Sequence, residues 1–191
     1  MKRYLFIVAA PLVQAGTFYT DTTQTAYLSP GLVNVGLGDN RVSGTLAPSG
    51  FCPDFYTLRI PEGLEVVSLL VEDYQTGDGN SGSFLGIQQG ATLSDSPAAF
   101  VSGQASTTLP FFLIGTPSLG RTDLLPTISD DVVGPGVTVL PAGDYALWFN
   151  ETDPNTAAQY VVNFQAQAVP EPSVSIGVLF GAIILARRRR S

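Results

Sequence analysis

The sequence predicts an all-β protein, built as a single antiparallel β-sandwich of jelly-roll-like type, with short targeting segments at either end. Three observations point there. Apolar residues alternate with polar ones over short runs, and no long stretch carries the helical period of 3.6. The runs are separated by Gly, Pro, Asn and Asp clusters, which punctuate strands. One cysteine, Cys52, leaves no intramolecular disulfide to hold the fold, so a packed core must do so. A body from 16 to 168 is large enough to build one.

Taken in order, Met1 to Ala15 has the layout of a secretory signal. Lys2 and Arg3 precede an apolar stretch from Leu5 to Val13, and Val13-Gln14-Ala15 supplies small residues for cleavage after Ala15. Gly16 to Pro30 is polar and threonine-rich, suited to a leading strand or a loose arm. Leu32 to Leu37 and Arg41 to Leu46 read as the halves of a hairpin, with Gly38-Asp39-Asn40 as its turn. Asp54 to Ile60 alternates strongly, with Tyr56, Leu58 and Ile60 on one face and Phe55, Thr57 and Arg59 on the other.

Pro61-Glu62-Gly63 is a tight turn. Leu64 to Val71 is nearly all apolar and reads as a buried central strand, followed by a polar loop from Asp73 to Ser83. Phe84 to Gln88 resumes as a strand, and Ala91 to Ser106 is small and polar. Leu109 to Ile114 is a short strand whose Pro110 suggests a sheet edge. Gly120 to Gly136 is an irregular crossover with room for a helical turn between Asp123 and Ser129. Asp144 to Phe149 places Tyr145, Leu147 and Phe149 inward and leaves Trp148 half covered. Gln159 to Ala166 closes the body, with Tyr160, Val162 and Phe164 inward.

The last segment, 169–191, has three parts. Pro170-Glu171-Pro172 fixes an extended backbone that no helix or central strand accepts. Val174 to Ala186 is uncharged, and as a short hydrophobic helix it would span roughly 20 Å, against about 30 Å for a hydrocarbon core. Arg187, Arg188, Arg189 and Arg190 then form a stop that stays on the cytoplasmic side of a membrane. In order, spacing and position this tail resembles the PEP-CTERM sorting signal of Gram-negative bacteria. The resemblance implies export, transient holding in the inner membrane, and processing at Pro170-Glu171-Pro172 by an exosortase-type transpeptidase. The destination it implies is the cell surface or an exopolysaccharide matrix. The body in turn resembles the bacterial pre-peptidase C-terminal domain, a small extracellular β-sandwich. That similarity lies in Asp54 to Gly63, and again in Leu140 to Trp148 with Tyr160-Val161-Val162.

Charge excludes one class of partner. Outside the two terminal segments the body keeps three arginines against fifteen acids, a formal −12, so it will not bind nucleic acid through phosphates. Absence of histidine removes Ser-His-Asp and Cys-His catalysis and the usual zinc sites. Carboxylate pairs such as Glu72-Asp73, Asp130-Asp131 and Glu151 with Asp153 lie beside turns, where acids serve local hydrogen bonding, and the expectation is a protein that is not an enzyme. Calcium is the one cofactor the residues suggest. Asp73, Asp78 and Asn80 offer oxygen ligands on a glycine-rich loop that lacks EF-hand spacing. Trp148, Tyr74 and Phe100, if exposed, would stack on sugars. A calcium- or carbohydrate-binding module is therefore the alternative to a sorted, non-enzymatic surface protein.

Overall fold

A computed structural model describes residues 16–20, 26–47, 53–77, 82–115, 123–151 and 155–170. Nine strands and two short helices occur among them: β1 (Phe18–Thr20), β2 (Gly31–Asn34), β3 (Gly38–Leu46), β4 (Asp54–Ile60), β5 (Leu64–Thr76), β6 (Ser83–Gln89), α1 (Pro97–Ser102), β7 (Phe111–Ile114), α2 (Leu125–Val132), β8 (Gly143–Glu151) and β9 (Ala158–Ala168). The strands form two sheets, in the orders β1-β3-β9-β5 and β2-β4-β8-β6-β7. Both contribute side chains to one core, giving a sandwich-like all-β fold.

Both sheets are mixed, which corrects the all-antiparallel expectation. β1 runs parallel to β3, and β2 parallel to β4. The reason lies in the segment expected to be a hairpin. Gly38-Asp39-Asn40 is not a turn between paired strands but the start of β3, and β2 and β3 belong to different sheets. Asn40 makes the corner. Its buried side chain accepts from Gly36 N at 2.7 Å and donates to Gly36 O and Gly38 O at 2.9 Å, so one amide satisfies the backbone where the chain crosses over. Gly38 sits at φ +88°, a conformation that favours glycine.

β4 and β8 are the centre of the five-stranded sheet, and their alternation is as the sequence predicts. Tyr56, Leu58 and Ile60 face Tyr145, Leu147 and Phe149 in antiparallel register, and all six are buried in the shared core. Pro61-Glu62-Gly63 turns the chain into β5, with Leu64 N bonded to Pro61 O and Gly63 at φ +82°. Phe149 stacks on Tyr160 of the facing sheet at 4.4 Å between ring centres, and Tyr56 meets Phe149 edge-on at 5.8 Å.

β5 differs from its reading in three ways. It extends to Thr76, it lies at a sheet edge rather than the centre, and it carries two register shifts, between Val66 and Ser68 and between Val71 and Asp73. The shifts reset the phase of alternation, so Leu64, Val66, Leu69, Val71 and Tyr74 are all buried although their spacing is uneven. Its apolar length is explained by cover. Leu69 N bonds to Asp123 Oδ1, Leu124 N bonds to Leu69 O, and Val66 exchanges backbone bonds with Leu140. The crossover before and after α2 thus closes the edge, which natural sheets rarely leave open. β7 is the edge of the other sheet, as Pro110 suggested.

Candidate functional site

Most of the sorting and calcium positions fall outside the described residues: Ala15, Asp78, Asn80, Glu171, Pro172, and Arg187 to Arg190. Pro170 is described. It is exposed, directly after β9, where Val169 N bonds to Gly63 O. Asp73 is also described. It belongs to β5 rather than to a loop, stays exposed, and accepts a bond from Gln75 Nε2 at 3.1 Å. No group of three acids or cysteines able to hold a metal occurs among the described residues. No helix among them is long and apolar enough to cross a membrane; the 174–186 segment is outside that set.

The carboxylates at one end of the body are engaged with hydroxyls. Tyr160 Oη donates to buried Asp54 Oδ2 at 2.8 Å, and Tyr56 Oη lies 3.0 Å from Tyr160 Oη. One hydroxyl has one proton, so Tyr56 is the donor in that second contact. Burial, then the neighbouring Tyr56 and the Asp54 carboxylate, push the Tyr160 hydroxyl well above its usual range. Nearby, Ser83 Oγ donates to Glu151 Oε2 at 2.8 Å and Tyr74 Oη lies 3.2 Å from the same oxygen. Tyr74 is buried and pushed up to about 12, first by desolvation. It therefore presents no face to a sugar, against the sequence expectation. Glu72 is taken up by Arg41 Nε at 2.6 Å and Asn163 Nδ2 at 2.7 Å.

The outer face of the five-stranded sheet carries the candidate site. Register sets Phe55, Trp148, Gly86 and Phe111 in one row across β4, β8, β6 and β7. Trp148 stacks on Phe55 at 6.2 Å, meets Phe84 edge-on at 4.9 Å, and packs near Phe100 at 6.4 Å. The segment from Leu93 to Leu109 lies over this face and buries Trp148 to 4 % exposure, so it is not half covered as its flanking alternation suggested. Gly86 is needed for that approach: a Cβ there would stand 2.9 Å from Leu109 Cδ2.

A network anchors the covering segment at both ends. Gln88 Nε2 donates to Ser94 Oγ and Thr107 Oγ1, each at 3.1 Å, while Gln88 Oε1 accepts from Ser94 N at 2.8 Å. Asp95 Oδ2 accepts from Ser106 Oγ at 2.8 Å and Ser106 N at 3.1 Å, which holds its carboxyl below the usual range. Between the anchors, α1 has Ser96 as its N-cap, accepting from Ala99 N, and Gly103 at φ +70° as its stop. The result is a compact Ω-type loop on a rigid sheet.

Between that loop and β7 lies a cleft of about 530 Å³, within the range of about 300–1,000 Å³ typical of small-ligand sites. Phe84, Phe100, Leu109, Phe111 and Trp148 form its apolar wall, with Thr107 and Thr108 beside them. Trp148 Nε1 is buried and has no hydrogen-bond partner, the single such side-chain atom among the described residues. Leaving a buried donor unmet costs about 1–3 kcal/mol, and native proteins rarely tolerate it without a reason. The sequence named Trp148 and Phe100 as sugar-stacking candidates but not their partners. A signal was present: Phe55 falls on the face expected opposite the core and Trp148 on a half-covered position, and aromatics gathered on one outer face mark a covered or binding surface.

No family model, no curated protein and no solved structure matches this chain.

Proposed function

We propose that the chain is an exported, non-enzymatic surface or matrix protein, sorted and processed through its C-terminal Pro-Glu-Pro motif. The single observation that carries this reading is the ordered tail: Pro170-Glu171-Pro172, then an uncharged apolar run, then four arginines. A signal at 1–15 delivers the body across the inner membrane by the export machinery. The tail halts it there, and an exosortase-type transpeptidase acts at the motif. The apolar run is short for a permanent span, which favours a temporary stop over an anchor.

Support comes from the body's own design. β9 ends at Ala168 and Pro170, the first residue of the motif, is exposed beyond it, as access for a processing enzyme requires. The −12 body repels anions and remains soluble outside the cell. Successive strands from β1 to β6 alternate between the two sheets, a connectivity in keeping with a jelly-roll-like sandwich that needs no disulfide. Buried Asp54 and Glu151 are bonded to tyrosine and serine hydroxyls, so their oxygens serve the packing of that end.

The test is made in cells. Replacing Pro170, Glu171 and Pro172 together by alanine should leave the tail attached and the protein in the inner-membrane fraction. Release and mass identical to those of the unaltered chain would refute the reading.

A further inference from the structure

We propose that the outer face around the 93–109 loop and β7 joins two copies of this chain about a two-fold axis, the rim of each closing the cleft of the other. Charge argues for a second copy. The body carries a formal −12, so two bodies repel unless they meet where neither is charged. The sequence has such a stretch: from Ser96 to Gly120 there is no Asp, Glu, Lys or Arg, and the described residues that line the cleft are uncharged as well. Burying these residues strands no charge. A face built to dock on a membrane would carry Lys or Arg for the headgroups, and this stretch has none.

Shape points the same way. Val101 on α1 is 75 % exposed, and Phe111 and Leu113 on β7 are 65 % and 68 % exposed. The two β7 side chains point away from the core, which their neighbours Phe112 and Ile114 join. Large apolar side chains gathered on a neutral surface mark a contact with another molecule. Val101 and Phe111 stand on opposite walls of the cleft, so one surface carries both the projecting side chains and the hollow that takes them. Such a surface is self-complementary under a two-fold rotation, which closes a pair and leaves nothing to propagate. The loop is pinned at both ends to Gln88 and Asp95, so little ordering remains when the copies meet. This reading is independent of the sorting reading: purified full-length protein tests the one, and only cells test the other.

Sedimentation velocity of the full chain reads the pair directly. At about 0.5 M sodium chloride, repulsion between the acidic bodies is screened within a few ångströms, and the chain should sediment as a dimer. At about 0.01 M, where charges act over about 30 Å, pairing should weaken about tenfold. Phe111→Asp puts a charge at an exposed position that the core does not need. It should be a monomer at both salts and, in dilute solution, melt like the unaltered protein. Leu179→Asp breaks the apolar run of the tail and leaves the body alone, so it should still dimerise. Assembly beyond two copies, pairing that weakens with added salt, pairing lost in Leu179→Asp, or pairing kept in Phe111→Asp would each overturn the proposal. So would a monomer at both salts; if Phe111→Asp then also released the chain from phosphatidylcholine vesicles, the face would belong to a lipid surface.

Discussion

The two faces of β8 use the same kind of residue to opposite ends. On the inner face, Tyr145, Leu147 and Phe149 enter a core in which every ring is enclosed, and the tyrosine hydroxyls there have partners: Tyr145 Oη donates to Pro141 O at 3.1 Å, and Tyr160 Oη to Asp54 at 2.8 Å. On the outer face, Ala146 and Trp148 are just as well buried, but under a loop instead of a sheet, and the indole donor has no partner. Burial alone therefore does not tell the two faces apart. Polar completion does: the inner face closes its hydrogen bonds, whereas the indole under the loop leaves its donor without a partner.

The comparison breaks most readily at Phe149 and Phe111. Phe149→Ala empties the stacked centre of the core and should destabilise the protein by about 3–5 kcal/mol in chemical denaturation. Phe111→Ala removes a ring of the same size from the cleft rim and should cost no more than about 0.5 kcal/mol. Equal losses would show that the outer ring is structural after all. Alkaline pH comes next. Tyr74 and Tyr145 are pushed up to about 12 from 10.0, and Tyr160 is raised well above it, chiefly by desolvation. Their raised values stabilise the fold fully below pH 10, where both states are neutral at these hydroxyls. That contribution is lost as the pH rises from 10 through about 12, because the unfolded chain ionises first. Thermal melting across that window should fall steeply, and a flat profile would contradict the enclosed, neutral tyrosines. Tyr160→Phe is the finest of these probes. It keeps the ring on Phe149 and deletes the donor to a buried carboxylate together with the acceptor of the Tyr56 hydroxyl, for an expected loss of about 1–3 kcal/mol. A neutral result would show that the Asp54 contact adds nothing.

Legibility in the sequence followed the same divide. Strands whose alternation was bounded by turn residues could be read directly. Asp54 to Ile60 and Asp144 to Phe149 took their expected faces, and Pro110 marked a true edge. What failed depended on cover supplied from elsewhere in the chain. Leu64 to Val71 looked central because it is apolar throughout, yet it is an edge sealed by the crossover around α2 and reset by two bulges. Gly38-Asp39-Asn40 had turn composition, but a single buried amide turned it into a corner between sheets. Trp148 and Tyr74 looked available to solvent because neither the 93–109 loop nor the Ser83–Glu151 pair has any periodicity to announce it. Of the candidate site, Trp148 and Phe100 were legible from side-chain chemistry. Gly86, whose missing side chain lets Leu109 settle over the sheet, was not, since its role exists only across strands.

The proposed sorting is most directly tested by the intact mass of the protein recovered from the surface of the cells that produce it. A polypeptide shortened at both ends, beginning near Gly16 and ending at the Pro170-Glu171-Pro172 motif, is the predicted result. A recovered chain that still carries Val174 to Ser191 would contradict it.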